Sequence, residues 1–150
     1  MRNINVIVFL FCFATVLVTA QEKDEKAIIQ LLEKESATWR SGDIKAHANC
    51  WAIKPYSRIL ISTGDGNVID VPPQVMIDPP ANMAGNGGTS SNSNYKFHIE
   101  GNTAWVSHDE VSISKEGKES HTLEYRMLEK IDGEWKLVGQ SIHVLPNSEK

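Results

Sequence analysis

The stretch that decides the fold is Tyr95-Lys96-Phe97-His98-Ile99-Glu100-Gly101-Asn102-Thr103-Ala104-Trp105-Val106-Ser107-His108. Two runs of alternating apolar and polar residues flank Gly101-Asn102, and such a pair suits a two-residue hairpin turn because both residue types reach positive φ at little cost. With that turn Ile99 stands opposite Ala104, Phe97 opposite Val106 and Tyr95 opposite His108, and all six side chains share one face. The other face sets Lys96, His98 and Glu100 against Ser107, Trp105 and Thr103. It is largely polar, so the first face is expected to cover the core. Glu110, two residues past His108, continues the inward row.

Downstream, Glu116-Gly117 and Asp132-Gly133 punctuate the chain in the same way, which predicts strands over 95–100, 103–114, 118–131 and 134–145. A two-residue turn at Asp132-Gly133 pairs Leu128 with Leu137, Arg126 with Gly139 and Glu124 with Ser141 on one face. Met127 with Val138, Tyr125 with Gln140 and Leu123 with Ile142 fall on the other. Both faces carry apolar residues, so one packs on helices and the other calls for cover by a second copy of the chain. The connection at Glu116-Gly117 leaves two registers open. A two-residue turn brings Tyr125 inward with His108, whereas a three-residue loop or a bulge brings Arg126 there instead.

Upstream, Ile28, Leu31, Leu32 and Trp39 recur with helical spacing among charged and small residues, predicting an amphipathic helix over 22–40 that Ser41-Gly42 ends. Asp43 then caps a second helix whose stripe is Ile44, His47, Ala48 and Trp51. Past Pro55 a short hairpin is expected from 58–62 and 68–71, followed by a helical turn near 74–78. Residues 79–94, rich in Pro, Gly, Asn, Ser and Thr, read as an exposed loop, with a lid over a pocket mouth as the functional alternative. Helices first and sheet last is an α+β order.

Residues 1–20 have the layout of a secretory leader: Arg2, an apolar run from Ile4 to Val18, then Thr19-Ala20 before Gln21-Glu22-Lys23. That run is shorter than the roughly 20 residues that span a bilayer. Cleavage after Ala20 is therefore expected, giving an exported mature domain over 21–150 with no membrane attachment. It removes one base and no acid, so the charge passes from 15 − 19 = −4 to 14 − 19 = −5, which argues against a nucleic-acid partner. Cys50 is left as the mature chain's single thiol, read as a small buried residue.

Three segments together resemble the nuclear transport factor 2-like superfamily, especially its SnoaL-like bacterial members and the association domain of calcium/calmodulin-dependent protein kinase. They are Trp39-Arg40-Ser41-Gly42-Asp43 between the helices, Glu100-Gly101-Asn102-Thr103-Ala104-Trp105-Val106 at the sheet's centre, and the run from Glu124 to Val138. The resemblance implies a cone-shaped, curved antiparallel sheet of four long strands plus a short hairpin, packed around N-terminal helices to leave a pocket, and commonly a homodimer through the sheet. It also implies that His47 and Arg126 line the pocket. The aspartate, tyrosine and acid set of ketosteroid-isomerase-like members has no counterpart here, and of the aspartate–arginine–aspartate set of limonene-epoxide-hydrolase-like members only Arg126 does.

The candidate ligand-binding residues are accordingly His47, Trp51, His108, Glu110, Arg126 and, in the other register, Tyr125. His108 beside Glu110 reads as an acid–base pair or a buried structural one, and Arg126 with Glu110 or Glu124 as an internal ion pair or an anion site. Histidines 47, 98, 108, 121 and 143 lack metal-ligand spacing, and no phosphate loop, dinucleotide fingerprint or nucleophile elbow occurs, so neither a metal nor a cofactor is expected. Three functions remain: a small-molecule-binding or interaction domain, favoured because no catalytic set with named roles can be assembled, a cofactor-free isomerase, cyclase or hydrolase, and a purely structural dimer module whose cone is filled by side chains.

Overall fold

A computed structural model of the chain describes residues 4–146, with side chains from residue 21 onward; the leader expected over 1–20 lies outside the residues whose side chains are described. Helix α1 (Ile4–Ser41) is followed by α2 (Ile44–Ala48), strands β1 (Ile59–Ser62) and β2 (Val68–Val71), a 3-10 turn (Pro73–Met76), and four long strands. These are β3 (Thr89–Glu100), β4 (Thr103–Ile113), β5 (Glu119–Ile131) and β6 (Glu134–Val144). They form one curved, unclosed sheet of six strands in the order β2-β1-β6-β5-β4-β3, antiparallel except for the β1–β6 pair. The architecture is the α+β fold expected. Among the described residues no helix is long and apolar enough to cross a membrane.

The alternation around Gly101-Asn102 does what its pattern requires. Ile99 pairs with Ala104 and Phe97 with Val106, and the Ala104, Val106, His108, Glu110 row is buried under α1 while Trp105 on the other side is exposed. Ile28 and Leu32 of α1 meet Val106, Leu128, Leu137, Ile59, Trp51 and Cys50 in the core. Each such side chain removed from water contributes about 1.5–3 kcal/mol. Cys50 donates its thiol hydrogen to the Ala46 carbonyl (3.4 Å), and burial raises the thiol's pKa, as befits a packing residue rather than a nucleophile. Helix α1 is pinned to the sheet at Asp24, where Lys130 Nζ (2.5 Å) and Trp135 Nε1 (3.1 Å) both donate to Oδ1.

Three expectations need correction, and one choice left open is decided. Strand β3 begins at Thr89, not 95: residues 89–93 pair with 109–113 of β4, so the polar run is an edge strand rather than a loop. Strand propensity at an edge yields to the ladder bonds a long partner offers. What remains of the loop is tied down, since Gly85 N–H and Gly87 N–H donate to the carbonyls of Trp39 (2.8 Å) and Arg40 (2.9 Å), closing the C-terminus of α1. Second, α2 ends at Ala48, and Trp51 instead forms a parallel bridge to Leu137. Third, the β4–β5 connection has three central residues, because Ser114 pairs with Lys118 through its N–H (2.8 Å). That choice puts Arg126 opposite Val106 and inward, and Tyr125 opposite Ser107 and outward. Fourth, the β5–β6 ladder keeps Leu128 opposite Leu137 but slips by one beyond it, so Arg126 pairs with Gln140 rather than Gly139. The bulge is invisible to an argument from the turn alone.

Candidate functional site

The face of α1 that meets the sheet carries Glu35, Ser36, Trp39 and Arg40, whose spacing sets them on adjacent turns of one side. Opposite them β4 contributes Glu110, β5 contributes Glu124 and Arg126, and β6 contributes Gln140 and Ile142. Between these layers lies a cavity of about 240 Å³, completed by Ile61 and Met76. Its wall is apolar on the Trp39, Ile61, Met76 and Ile142 side and charged on the other.

Arg126 is at the centre of the charged side, only 5% exposed. Its guanidinium donates to Glu124 and to the Gln140 side-chain oxygen, and one terminal nitrogen lies 3.6 Å from Glu35 Oε2. Burial acts against its charge, but Glu124 and Glu35 outweigh it and raise the guanidinium's pKa. For Glu124 burial alone would raise the carboxyl, yet Arg126, His108 and the Thr122 hydroxyl (2.9 Å) together hold it below the ordinary carboxylate value. Glu110 goes the other way. Burial, then repulsion from Glu124, raise its pKa despite Arg40 at 2.6 Å and the Ser36 hydroxyl at 3.2 Å.

The sequence candidates separate into three groups. Arg126 and Glu110 line the cavity. His47 and Trp51 stand behind it: Trp51 Nε1 donates to Glu35 Oε1 (3.3 Å), and His47 lies 3.1 Å from the Glu35 carbonyl through Nδ1 and 3.7 Å from Glu35 Oε1 through Nε2. They position Glu35 rather than meet the cavity. His108, 2% exposed, also lies behind the wall, with its Nε2 3.6 Å from Glu124 Oε2 and its ring 5.2 Å from that of Tyr95. Its partner is Glu124 rather than Glu110, because the residue directly across a ladder stands closer than the one two along the strand. Burial first, and then the Arg126 charge, lower the His108 pKa, so the ring is neutral at neutral pH. Tyr125 is 49% exposed on the outer face and takes no part.

Sequence reasoning missed Glu35, Arg40 and Gln140. Glu35 had a signal: it falls on the stripe of Ile28, Leu32 and Trp39, where a carboxylate must find a buried partner. Gln140 had none, since the bulge alone turns it inward. Among the described residues no group of three His, Cys, Asp or Glu side chains could hold a metal ion.

No family model matches the chain, and no curated protein does. Solved structures do. A protein of unknown function with a cystatin-like fold from Nostoc punctiforme superposes with a TM-score of 0.65 at 15% identity, covering 83% of this chain and 92% of that one. A nuclear transport factor 2-like protein with a cystatin-like fold from Novosphingobium aromaticivorans gives 0.65 at 16% identity, over 89% and 90%. A scytalone dehydratase-like protein from the same organism gives 0.69 at 13%, over 89% and 99%. The chain therefore has the nuclear transport factor 2-like, cystatin-like fold.

Because His108 has a folded pKa below its ordinary 6.5, it contributes stability that is present above that value and is lost as pH falls toward the folded pKa. Unfolding free energy measured in urea is expected to decline between about pH 7 and about pH 5.5, and His108→Asn to flatten that decline. Equal slopes for the two proteins would show that His108 is not the group responsible.

Proposed function

We propose that the protein is an exported small-molecule-binding domain whose ligand occupies the cavity between α1 and the sheet. The observation that carries the reading is that cavity itself: one wall apolar, the other bearing a few convergent buried polar groups, as in small-ligand sites generally. At protein-like packing density 240 Å³ takes roughly ten non-hydrogen atoms. A second reading, a cofactor-free enzyme, draws support from Glu110, a cavity carboxyl with a raised pKa suited to proton transfer, and from the likeness to a dehydratase-like protein. Binding is favoured because the neutral imidazole that would complete an acid–base set, His108, faces Glu124 and Tyr95 rather than the cavity.

The outer sheet face supports a homodimer. Trp105 lies between His98 (6.4 Å between ring centroids) and Tyr125 (6.2 Å), which meets His143 edge-on (6.1 Å). This aromatic row crosses four strands and is flanked by exposed Leu123 and Met127. Such a contiguous apolar surface marks an interface.

Native protein recovered from the producing cell's envelope fraction should have an intact mass starting at Gln21 and release one compound of that size on denaturation. A chain retaining residues 1–20, or a wholly empty domain, would count against export or binding respectively. Light scattering at roughly micromolar concentration should report a dimer that Trp105→Glu converts to a folded monomer. A monomeric parent would remove the dimer.

A further inference from the structure

Arg40 occupies a position no other described residue shares. It lines the interior cavity, the groove of about 590 Å³ that α1 forms with residues 87–92, and the hollow of about 540 Å³ at the strand ends around Ser112, Ser114 and Lys118. Its side chain is 23% exposed, and its ion pair with Glu110 (2.6 Å) stands where the interior meets both outer spaces. Its Nε–H is buried without a hydrogen-bond partner. The pair is thus the boundary between cavity and solvent, and one donor of the guanidinium is uncommitted.

Deeper in, the cavity resists an anion. Glu35, Glu110 and Glu124 outnumber Arg40 and Arg126, and both terminal nitrogens of Arg126 are taken by Gln140 and Glu124. Arg126 also keeps an unpartnered Nε–H, but it lies among Glu35 and Glu124, so a ligand carboxylate is better held at the mouth, where it takes the place of the Glu110 carboxylate beside Arg40. That exchange adds no net charge to the interior if Glu110 accepts a proton as the ligand enters.

We infer that the cavity binds a small monocarboxylate, its apolar body against Trp39, Ile61, Met76 and Ile142 and its carboxylate on Arg40, with uptake of one proton by Glu110. This rests on the binding reading above and names its ligand class. The balance is simple: the Arg40–Glu110 ion pair plus a carboxylate and a proton becomes an Arg40–ligand ion pair beside a neutral Glu110. The raised Glu110 pKa supports the direction, since burial and the neighbouring Glu124 make proton uptake there easier than at an ordinary carboxylate. The charged groups facing Glu110 are Arg40 from α1 and Glu124 and Arg126 from β5, while β3 presents Ser90 and Asn92, which do not titrate, and the Tyr95 phenol, whose pKa burial and the nearby Glu110 push up. Glu124 repels the Glu110 carboxylate and both arginines favour it, so the guanidinium that leaves for the ligand is the one whose loss raises Glu110 further.

Titration calorimetry with benzoate and with benzamide tests this, both probes being near roughly ten non-hydrogen atoms. Benzoate should bind at least about tenfold more tightly than benzamide and tighten as pH falls from about 7.5 to about 5.5, a range in which benzoate itself stays ionised. Comparison of buffers with different ionisation enthalpies should give about one proton taken up per benzoate. Arg40→Met should cost benzoate at least about tenfold and benzamide less than about twofold, and Arg40→Lys should recover part of the loss. Glu110→Gln should abolish the pH dependence. The pair Arg40→Met with Glu110→Gln keeps the mouth uncharged, so it separates loss of binding from loss of fold. Benzamide binding as well as benzoate, or benzoate affinity that rises with pH, would overturn the assignment and leave the cavity reading standing. Failure of both probes to bind would take both readings down.

Discussion

A guanidinium removed from water costs several kcal/mol even after the protein relaxes around it, so a buried arginine dictates what surrounds it. Arg126 is that constraint here. It must be met by acceptors from more than its own strand, and it is met from three elements: Glu124 on β5, Gln140 on β6 and Glu35 on α1. The first two fix the register of the sheet's centre. The third crosses to the helix and sets where α1 lies over the sheet. Glu35 in turn needs its other oxygen satisfied, which is the work of Trp51, while the His47 ring, tilted against both Trp39 and Trp51, packs beside it. Residues that looked like pocket lining in the sequence are in this sense supports for one carboxylate.

Charge satisfied in this way leaves the interior unable to close completely. Side chains committed to each other in fixed directions cannot also fill the space between α1 and the strands, and the apolar residues facing them, Ile61, Met76 and Ile142, come from elements held apart by the sheet's curl. Two bulges contribute to that curl, one between Ser93 and Lys96 and one between Met127 and Leu128. The second has a direct chemical consequence, since without it Gly139 rather than Gln140 would stand beside Arg126. Even the glycine is used: a Cβ at Gly139 would meet the Met127 methyl at 2.6 Å and the Arg58 carbonyl at 3.2 Å, where β1 lies against β6.

The fold was legible because it rests on patterns of period two and period 3.6 that local turn chemistry fixes in place. Gly101-Asn102 set one hairpin's register correctly, and Asp43 capped α2 through its carboxylate to Ala46 N–H (3.0 Å) as its position implied. The parts that were not legible depend on non-local choices. Residues 89–94 carry no strand signal of their own and become a strand because β4 is long enough to pair with them. The choice between Tyr125 and Arg126 turned on one residue in the connection after Ser114, and side-chain chemistry decides in favour of the arginine only if a buried acid is available. Glu35 supplied the missing information, since it lies on the helix stripe with Ile28, Leu32 and Trp39, yet its charge placed it with the solvent-facing residues.

What most directly probes this arrangement is the energetic coupling between Glu35 and Arg126 across the helix–sheet boundary. Unfolding free energies of Glu35→Gln, Arg126→Met and the double variant form a cycle in which the coupling is the departure from additivity. If Arg126 holds α1 to the sheet through Glu35, the Arg126→Met change alone costs about 3–5 kcal/mol by stranding buried carboxylates. The double variant then recovers part of that cost, with a coupling of about 0.5–3 kcal/mol. Costs that simply add, within about 0.3–0.5 kcal/mol, would mean that the helix is held by its apolar stripe alone and that the buried charges are passengers.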